Sequence, residues 1–221
     1  IWFLIFLNLY FVNADTTLTE KELRYKLFNN YSKIDRPVLN MSSNVKLKYG
    51  IEVKSLEYFD QKAENIKFNL WLTQLWNDEY LKWDKSEFDS DYININSYQI
   101  WLPDLELYNS ASQPNVYDAH GGLKLYSNGD ILWVRPTTYS FSCKLNLKDF
   151  PFDEQKCTMT FGSWKYNANF LDVRPFNDSF KYTNISIDRD FSHNEWNIVN
   201  KYVTHKDIEY LCCPGELWPV T

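Results

Sequence analysis

Apolar residues crowd the start of this chain, then recur every fourth position, then every second. Ile1 to Val12 reads IWFLIFLNLYFV, almost wholly apolar. That run is too short for a membrane helix, which takes about 20 residues. Val12 and Ala14 are small residues placed as a signal peptidase requires, so residues 1–14 are expected to be a partial signal peptide. Residues 15–221 would then be the mature domain. Thr19-Glu20-Lys21-Glu22 reads as a capping box, with a hydroxyl at the N-cap and a carboxylate three residues on. Leu23, Leu27 and Tyr31 follow at spacing four, predicting a short helix that stops before Pro37.

Beyond Pro37 the spacing becomes two. Val45, Leu47, Tyr49, Ile51 and Val53 alternate with mostly polar residues, as do Ile66, Phe68, Leu70 and Leu72. Both patterns predict strands with one buried face. Trp71 falls on the outward face of the second, beside Asn69 and Thr73, where so large an aromatic needs a partner. Ser127-Asn128-Gly129-Asp130 predicts a hairpin turn joining Leu123–Tyr126 to Ile131–Val134. The latter is apolar on both faces, so one face is free for another subunit or a ligand. Further strands are predicted around Cys157–Phe161, Phe170–Arg174, Glu195–Asn200 and Tyr202–Tyr210. Many short strands between turns indicate an all-β, two-sheet sandwich.

Composition narrows the class. Aromatics make up 18% of the 221 residues, a load that pleated faces accommodate better than helical bundles. A net charge of −6 with no basic patch excludes a nucleic-acid partner. Four sequons, at Asn30, Asn40, Asn177 and Asn184, fit export and glycosylation. No nucleophile–base pair, zinc motif or phosphate loop is visible, so the chain reads as no enzyme, with neither cofactor nor metal.

Export also frames the four cysteines, because disulfides persist outside the cytosol. Cys143 and Cys157 bracket thirteen residues, and a bridge there would be worth about 3 kcal/mol. Cys212 and Cys213 are adjacent. Their Cα atoms lie only ~3.8 Å apart across a trans peptide, so a bridge would close a strained eight-membered ring. The alternatives are free thiols, or metal ligands for which His120, His193 and His205 give no suitable spacing.

A thirteen-residue loop between cysteines containing Phe150-Pro151-Phe152-Asp153 resembles the signature of the pentameric Cys-loop receptors. Trp101-Leu102-Pro103-Asp104 resembles their W-x-P-D element, and Cys212-Cys213 resembles the mark of nicotinic acetylcholine receptor α-type subunits. The resemblance runs from about Thr19 to Trp218. It implies an immunoglobulin-like β-sandwich of about ten strands behind a short N-terminal helix, with the last strand truncated at Thr221. It implies bridges Cys143–Cys157 and Cys212–Cys213, and homologous subunits in a homo- or hetero-pentamer. It also implies a membrane attachment, through a C-terminal domain absent here, on the extracellular side of a postsynaptic membrane.

The implied ligand is acetylcholine or a nicotinic agonist. A quaternary ammonium donates no hydrogen bond and is held by aromatic faces. Tyr108 resembles the loop A tyrosine, Trp164 the loop B tryptophan and Tyr210 the first loop C tyrosine. Trp71 resembles the loop D tryptophan of the complementary face. Lys124, Leu132 and Val134 fall at loop E positions. The chain departs from the pattern at four places. Trp218 stands where a second loop C tyrosine is usual, and Lys124 where loop E is usually apolar. Thr160 and Val220 replace a Lys and an Asp tied to gating. Trp101 and Trp76 read as core. Two other readings compete: a secreted acetylcholine-binding protein without a channel, and a secreted carbohydrate-binding sandwich.

Overall fold

The computed structural model describes residues 19–112, 115–116, 122–177 and 184–221. The expected signal peptide lies outside them. The helix is α1, Glu20–Phe28. The Thr19 hydroxyl accepts from the Glu22 N–H at 3.4 Å, and the Glu22 carboxylate accepts from the Thr19 N–H at 2.7 Å. Leu23 and Leu27 are buried against the sandwich. Tyr31 lies beyond the helix end, yet its hydroxyl donates to the buried Asp78 at 2.6 Å and accepts from the Trp101 N–H at 3.1 Å. Burial raises the pKa of both Tyr31 and Asp78.

The strands are β1 Val45–Asp60, β2 Asn65–Asn77, β3 Tyr92–Ile95, β4 Leu105–Leu107, β5 Asn115–Val116 and β6 Leu123–Tyr126. There follow β7 Asp130–Ser142, β8 Phe161–Ser163, β9 Leu171–Pro175, β10 Ile185–Ile187, β11 Lys206–Glu209 and β12 Leu217–Val220. Eight form one sheet in the order β10-β1-β2-β7-β6-β3, with β5 also on β7 and β9 also on β1. The other four form a second sheet, β11-β12-β8-β4. This is the expected all-β sandwich with one N-terminal helix.

The long antiparallel strands β1, β2 and β7 make the platform. Leu47, Leu70, Leu72, Ile131 and Phe141 point from them into the core and are nearly inaccessible to water. The ring of Phe161, from the second sheet, meets Tyr49 and Tyr139 across the gap at 5.7 and 5.5 Å. Trp76 and Trp101 meet edge to face at 6.4 Å. Trp76 and Trp101 are therefore core residues, as the sequence indicates. The hairpin turn falls at Asn128-Gly129 between β6 and β7. Gly129 sits at φ +86°, and a Cβ there would stand 2.4 Å from the Asp78 carbonyl oxygen. Turn conformation and close packing both require glycine.

Three predicted strands shift. Only Phe161 of Cys157–Phe161 enters a strand, and Tyr202–Tyr210 shrinks to Lys206–Glu209. Glu195–Asn200 forms none. Its alternation still reports burial: Trp196 and Ile198 pack on the core, with Trp196 4.8 Å from the Phe59 ring. Its backbone borders a cleft of about 1160 Å³ between the sheets instead of a neighbouring strand.

Cys143 and Cys157 are bridged. The loop they close carries a cis Phe150–Pro151 bond, and Phe150 and Phe152 are exposed, the latter at 90%. Among the described residues no helix is long and apolar enough to cross a membrane. Asn30, Asn40 and Asn177 are exposed, while Asn184 is half-buried beside β1.

Candidate functional site

The short strands β4 and β8 place one group of aromatics. Their register sets Leu107 opposite Phe161 and Leu105 opposite Ser163. Tyr108 and Trp164 therefore leave opposite ends of the strand pair, and the Tyr108 side chain runs back past Gly162 to reach Ser163 beside Trp164. Their rings meet edge to face, 6.1 Å apart at 84°. Trp164 is 75% exposed, so its indole is open to a ligand. The Tyr108 hydroxyl donates to the Ser163 carbonyl at 2.5 Å. Burial pushes its pKa up to about 12, with Tyr210 and Asp104 adding to the shift. The phenol is thus neutral at physiological pH.

Asp104 holds the loop that presents Trp164. Its carboxylate accepts from the Ser163 hydroxyl at 2.7 Å, the Trp164 N–H at 3.1 Å and the Lys165 N–H at 2.8 Å. Two segments about sixty residues apart in sequence are joined by one charge-assisted cluster. Gly162 permits the closest approach: a Cβ there would lie 2.6 Å from the Tyr108 hydroxyl oxygen. Gly162→Ala is expected to displace Tyr108 and to destabilise the domain by about 1–3 kcal/mol, as overpacking does. Chemical denaturation of the variant measures this. An unchanged midpoint would mean that the phenol moves away freely.

β11 and β12 form the neighbouring hairpin. Ile208 opposes Trp218, so Tyr210, two residues beyond Ile208, projects from the same face as Trp218. The turn between them is closed by the Cys213 N–H to the Tyr210 carbonyl at 3.0 Å and the Glu216 N–H to the Cys213 carbonyl at 3.2 Å. Cys212 and Cys213 are separate thiols in this turn. The second bridge that the resemblance implies is thus not formed in this structure. A trans peptide holds adjacent Cα atoms below the usual disulfide span. The hydrogen bond with Cys212 pushes the Cys213 thiol up to about 11.

The remaining candidates lie elsewhere. Trp71 is on β2 in the large sheet, 42% exposed on its outer face. Pairing of β2 with β7 sets Trp71 beside Pro136, Thr73 beside Val134 and Leu75 beside Leu132. Trp71, Val134 and Leu132 therefore share one outward face, as the sequence predicts. Lys124, opposite Leu132 on β6, places its ammonium 4.7 Å from the Tyr92 ring centroid. The structure brings the Tyr108 and Trp164 rings together on the small sheet, which also carries the hairpin of Tyr210, and sets Trp71 with Leu132 and Val134 on the large sheet. Thr160 and Val220, two of the four departures, have backbone roles. Thr160 accepts from the Tyr108 N–H at 2.8 Å, and Val220 opposes Gly162. Among the described residues no group of three His, Cys, Asp or Glu side chains could hold a metal.

A sandwich with exposed aromatics at two separate places, a bridged thirteen-residue loop and a Trp-x-Pro-Asp anchor is the arrangement of a receptor domain. Residues 20–220 match the neurotransmitter-gated ion-channel ligand binding domain, and the chain belongs to that family. The family is a ligand-binding domain of channels, not an enzyme.

Within it, the chain is similar to neuronal acetylcholine receptor α subunits. It is 34% identical over 207 residues to "Neuronal acetylcholine receptor subunit alpha-3" of Bos taurus, covering 93% of this chain and 41% of that protein. It is 34% identical over 201 residues to subunit alpha-2 of Gallus gallus, covering 90% and 37%. To subunit alpha-6 of Pan troglodytes it is 31% identical over 214 residues, covering 96% and 42%. The chain thus spans about two fifths of the length of these relatives.

Proposed function

We propose that this chain binds acetylcholine or a related nicotinic agonist in an aromatic cage between neighbouring subunits of a ring of five, and so gates a channel. One observation carries the reading: Trp164 is presented 75% exposed, edge to face with Tyr108, at the end of a strand of the small sheet, while Trp71 stands on the large one. Tyr108, Trp164, Tyr210 and Trp218 would form the principal face, flanked by Cys212 and Cys213. Trp71, Leu132 and Val134 would form the complementary face of the next subunit. The exposed Phe150 and Phe152 favour a membrane receptor over a secreted binding protein, because apolar rings at a loop tip call for a covering partner. Secretion to the cell surface follows from the same reading.

Complementation tests the interface. Chains carrying Trp164→Ala are co-expressed with chains carrying Trp71→Ala, and radiolabelled agonist binding is measured on size-fractionated protein. Mixed rings contain some interfaces free of both lesions, so binding is expected to return in part. Chains carrying both substitutions are expected to restore none. Full-affinity binding in the monomer fraction would refute an intersubunit site.

A further inference from the structure

The outer face of Trp71 already carries a cation. The Lys54 ammonium lies 4.1 Å from the Trp71 ring centroid, well within cation–π range. It is held from behind by two carboxylates, Glu52 at 3.2 Å and Asp188 in direct contact. We infer that Lys54 is a specificity-determining residue of the complementary face: its ammonium occupies the place on Trp71 that a ligand's cation would take. The inference rests on the cage reading above and adds to it what a ligand must displace.

The backbone sets this arrangement. Glu52 pairs with Trp71 across β1 and β2, and Val53 with Leu70, but the next pair is Ser55 with Asn69. Lys54 is therefore the extra residue of a β-bulge, and a bulge re-aims its side chain. On the other side of β1, Val53 pairs in parallel with Ile187 of β10, which brings Asp188 alongside Lys54. The Asp188 N–H donates to the Val53 carbonyl at 2.8 Å, so this acceptor is fixed. The Lys54 side chain keeps only 27% of its exposure.

Charge decides the consequence. Glu52, Lys54 and Asp188 together carry −1. Removing the Lys54 charge leaves an indole face backed by two carboxylates, which is a receptor for a cation. In the parent protein the lysine fills that receptor from within. A ligand ammonium gains Trp71 only as Lys54 swings aside, and the lysine loses its aromatic contact in doing so. Interfaces at which this chain supplies Trp71 are accordingly weaker than those at which it supplies Trp164 to a neighbour whose tryptophan is uncovered.

The test uses tetramethylammonium as the probe, in competition with labelled acetylcholine on the assembled protein. Lys54→Met is expected to tighten binding about tenfold, the equivalent of one partly desolvated cation–π contact. Lys54→Arg, which keeps a cation over the ring, is expected to bind as the parent does. Lys54→Met combined with Trp71→Ala is expected to lose the gain. Affinity unchanged or weakened in Lys54→Met, or a gain that persists without Trp71, overturns the inference. A measurement on the unsubstituted protein guards against a variant that folds poorly. The Lys54 ε-methylene resonance is expected upfield, shielded by the indole ring, and to move back as the probe saturates; a resonance that stays shifted at saturation also overturns it. Failure of the cage reading would show differently, as a folded Trp164→Ala protein that binds like the parent. The Lys54 resonance is read against Trp71 and the probe alone, without labelled acetylcholine, and so distinguishes the two failures.

Discussion

Trp164→Ala is expected to weaken acetylcholine binding about thirtyfold, close to 2 kcal/mol, while leaving the fold intact. The two halves of this expectation have separate grounds. The indole is 75% exposed, so its removal opens no core cavity. The loop beneath it is held through main-chain N–H groups that alanine retains. What is lost is the electron-rich face and the edge contact with Tyr108 at 6.1 Å. In a closed interface such a face is desolvated and ranks among the few residues that dominate binding. Equilibrium binding of labelled agonist, alongside a thermal melt, measures both halves. Parental affinity in a folded, assembled variant would refute the assignment of Trp164.

Trp101→Ala is expected to do the opposite and cost stability, about 3–5 kcal/mol. Trp101 is 3% exposed, and its ring packs at 6.4 Å on Trp76 and 6.3 Å on Tyr166. Its backbone N–H also meets the Tyr31 hydroxyl, which ties α1 to the sandwich. For a domain of this size such a loss lowers the melting temperature by about 10 °C. A melt within a degree or two of the parent would contradict the packing described. Tyr166 donates its N–H to Ser163 two residues from the end of the Trp164 loop, at 2.9 Å. Binding measured well below the melting point of Trp101→Ala would therefore show how far the core supports the loop.

Two tryptophans, Trp101 and Trp71, mark how far the sequence could be read. Trp101 is recognisable as core from its motif, and Trp71 as outward from its period-two neighbours. The capping box located α1, and Asn-Gly located the turn between β6 and β7. Strand lengths were less accessible. β7 runs on to Ser142 because Thr137, Thr138 and Ser140 are buried despite being polar, and alternation alone does not announce that. Thr138 and Ser140 have side-chain partners, Asn69 at 2.7 Å and Asn65 at 2.8 Å, which lie far away in sequence. In Glu195–Asn200 the periodicity reported which side chains turn inward and not whether a backbone neighbour exists. Lys54 was hidden for a third reason. Its position depends on a bulge, and its partners at 52, 71 and 188 come together only through sheet register.

Asp104 bears on how such a domain can change over generations. Its carboxylate recognises the backbone of residues 164 and 165, not their side chains. Every amino acid except proline carries the N–H group it needs. The residue displayed at 164 can thus be exchanged without dismantling the mount that displays it. At the proposed site, drift in ligand preference is uncoupled from loss of architecture, and new side chains can be sampled at this loop one substitution at a time.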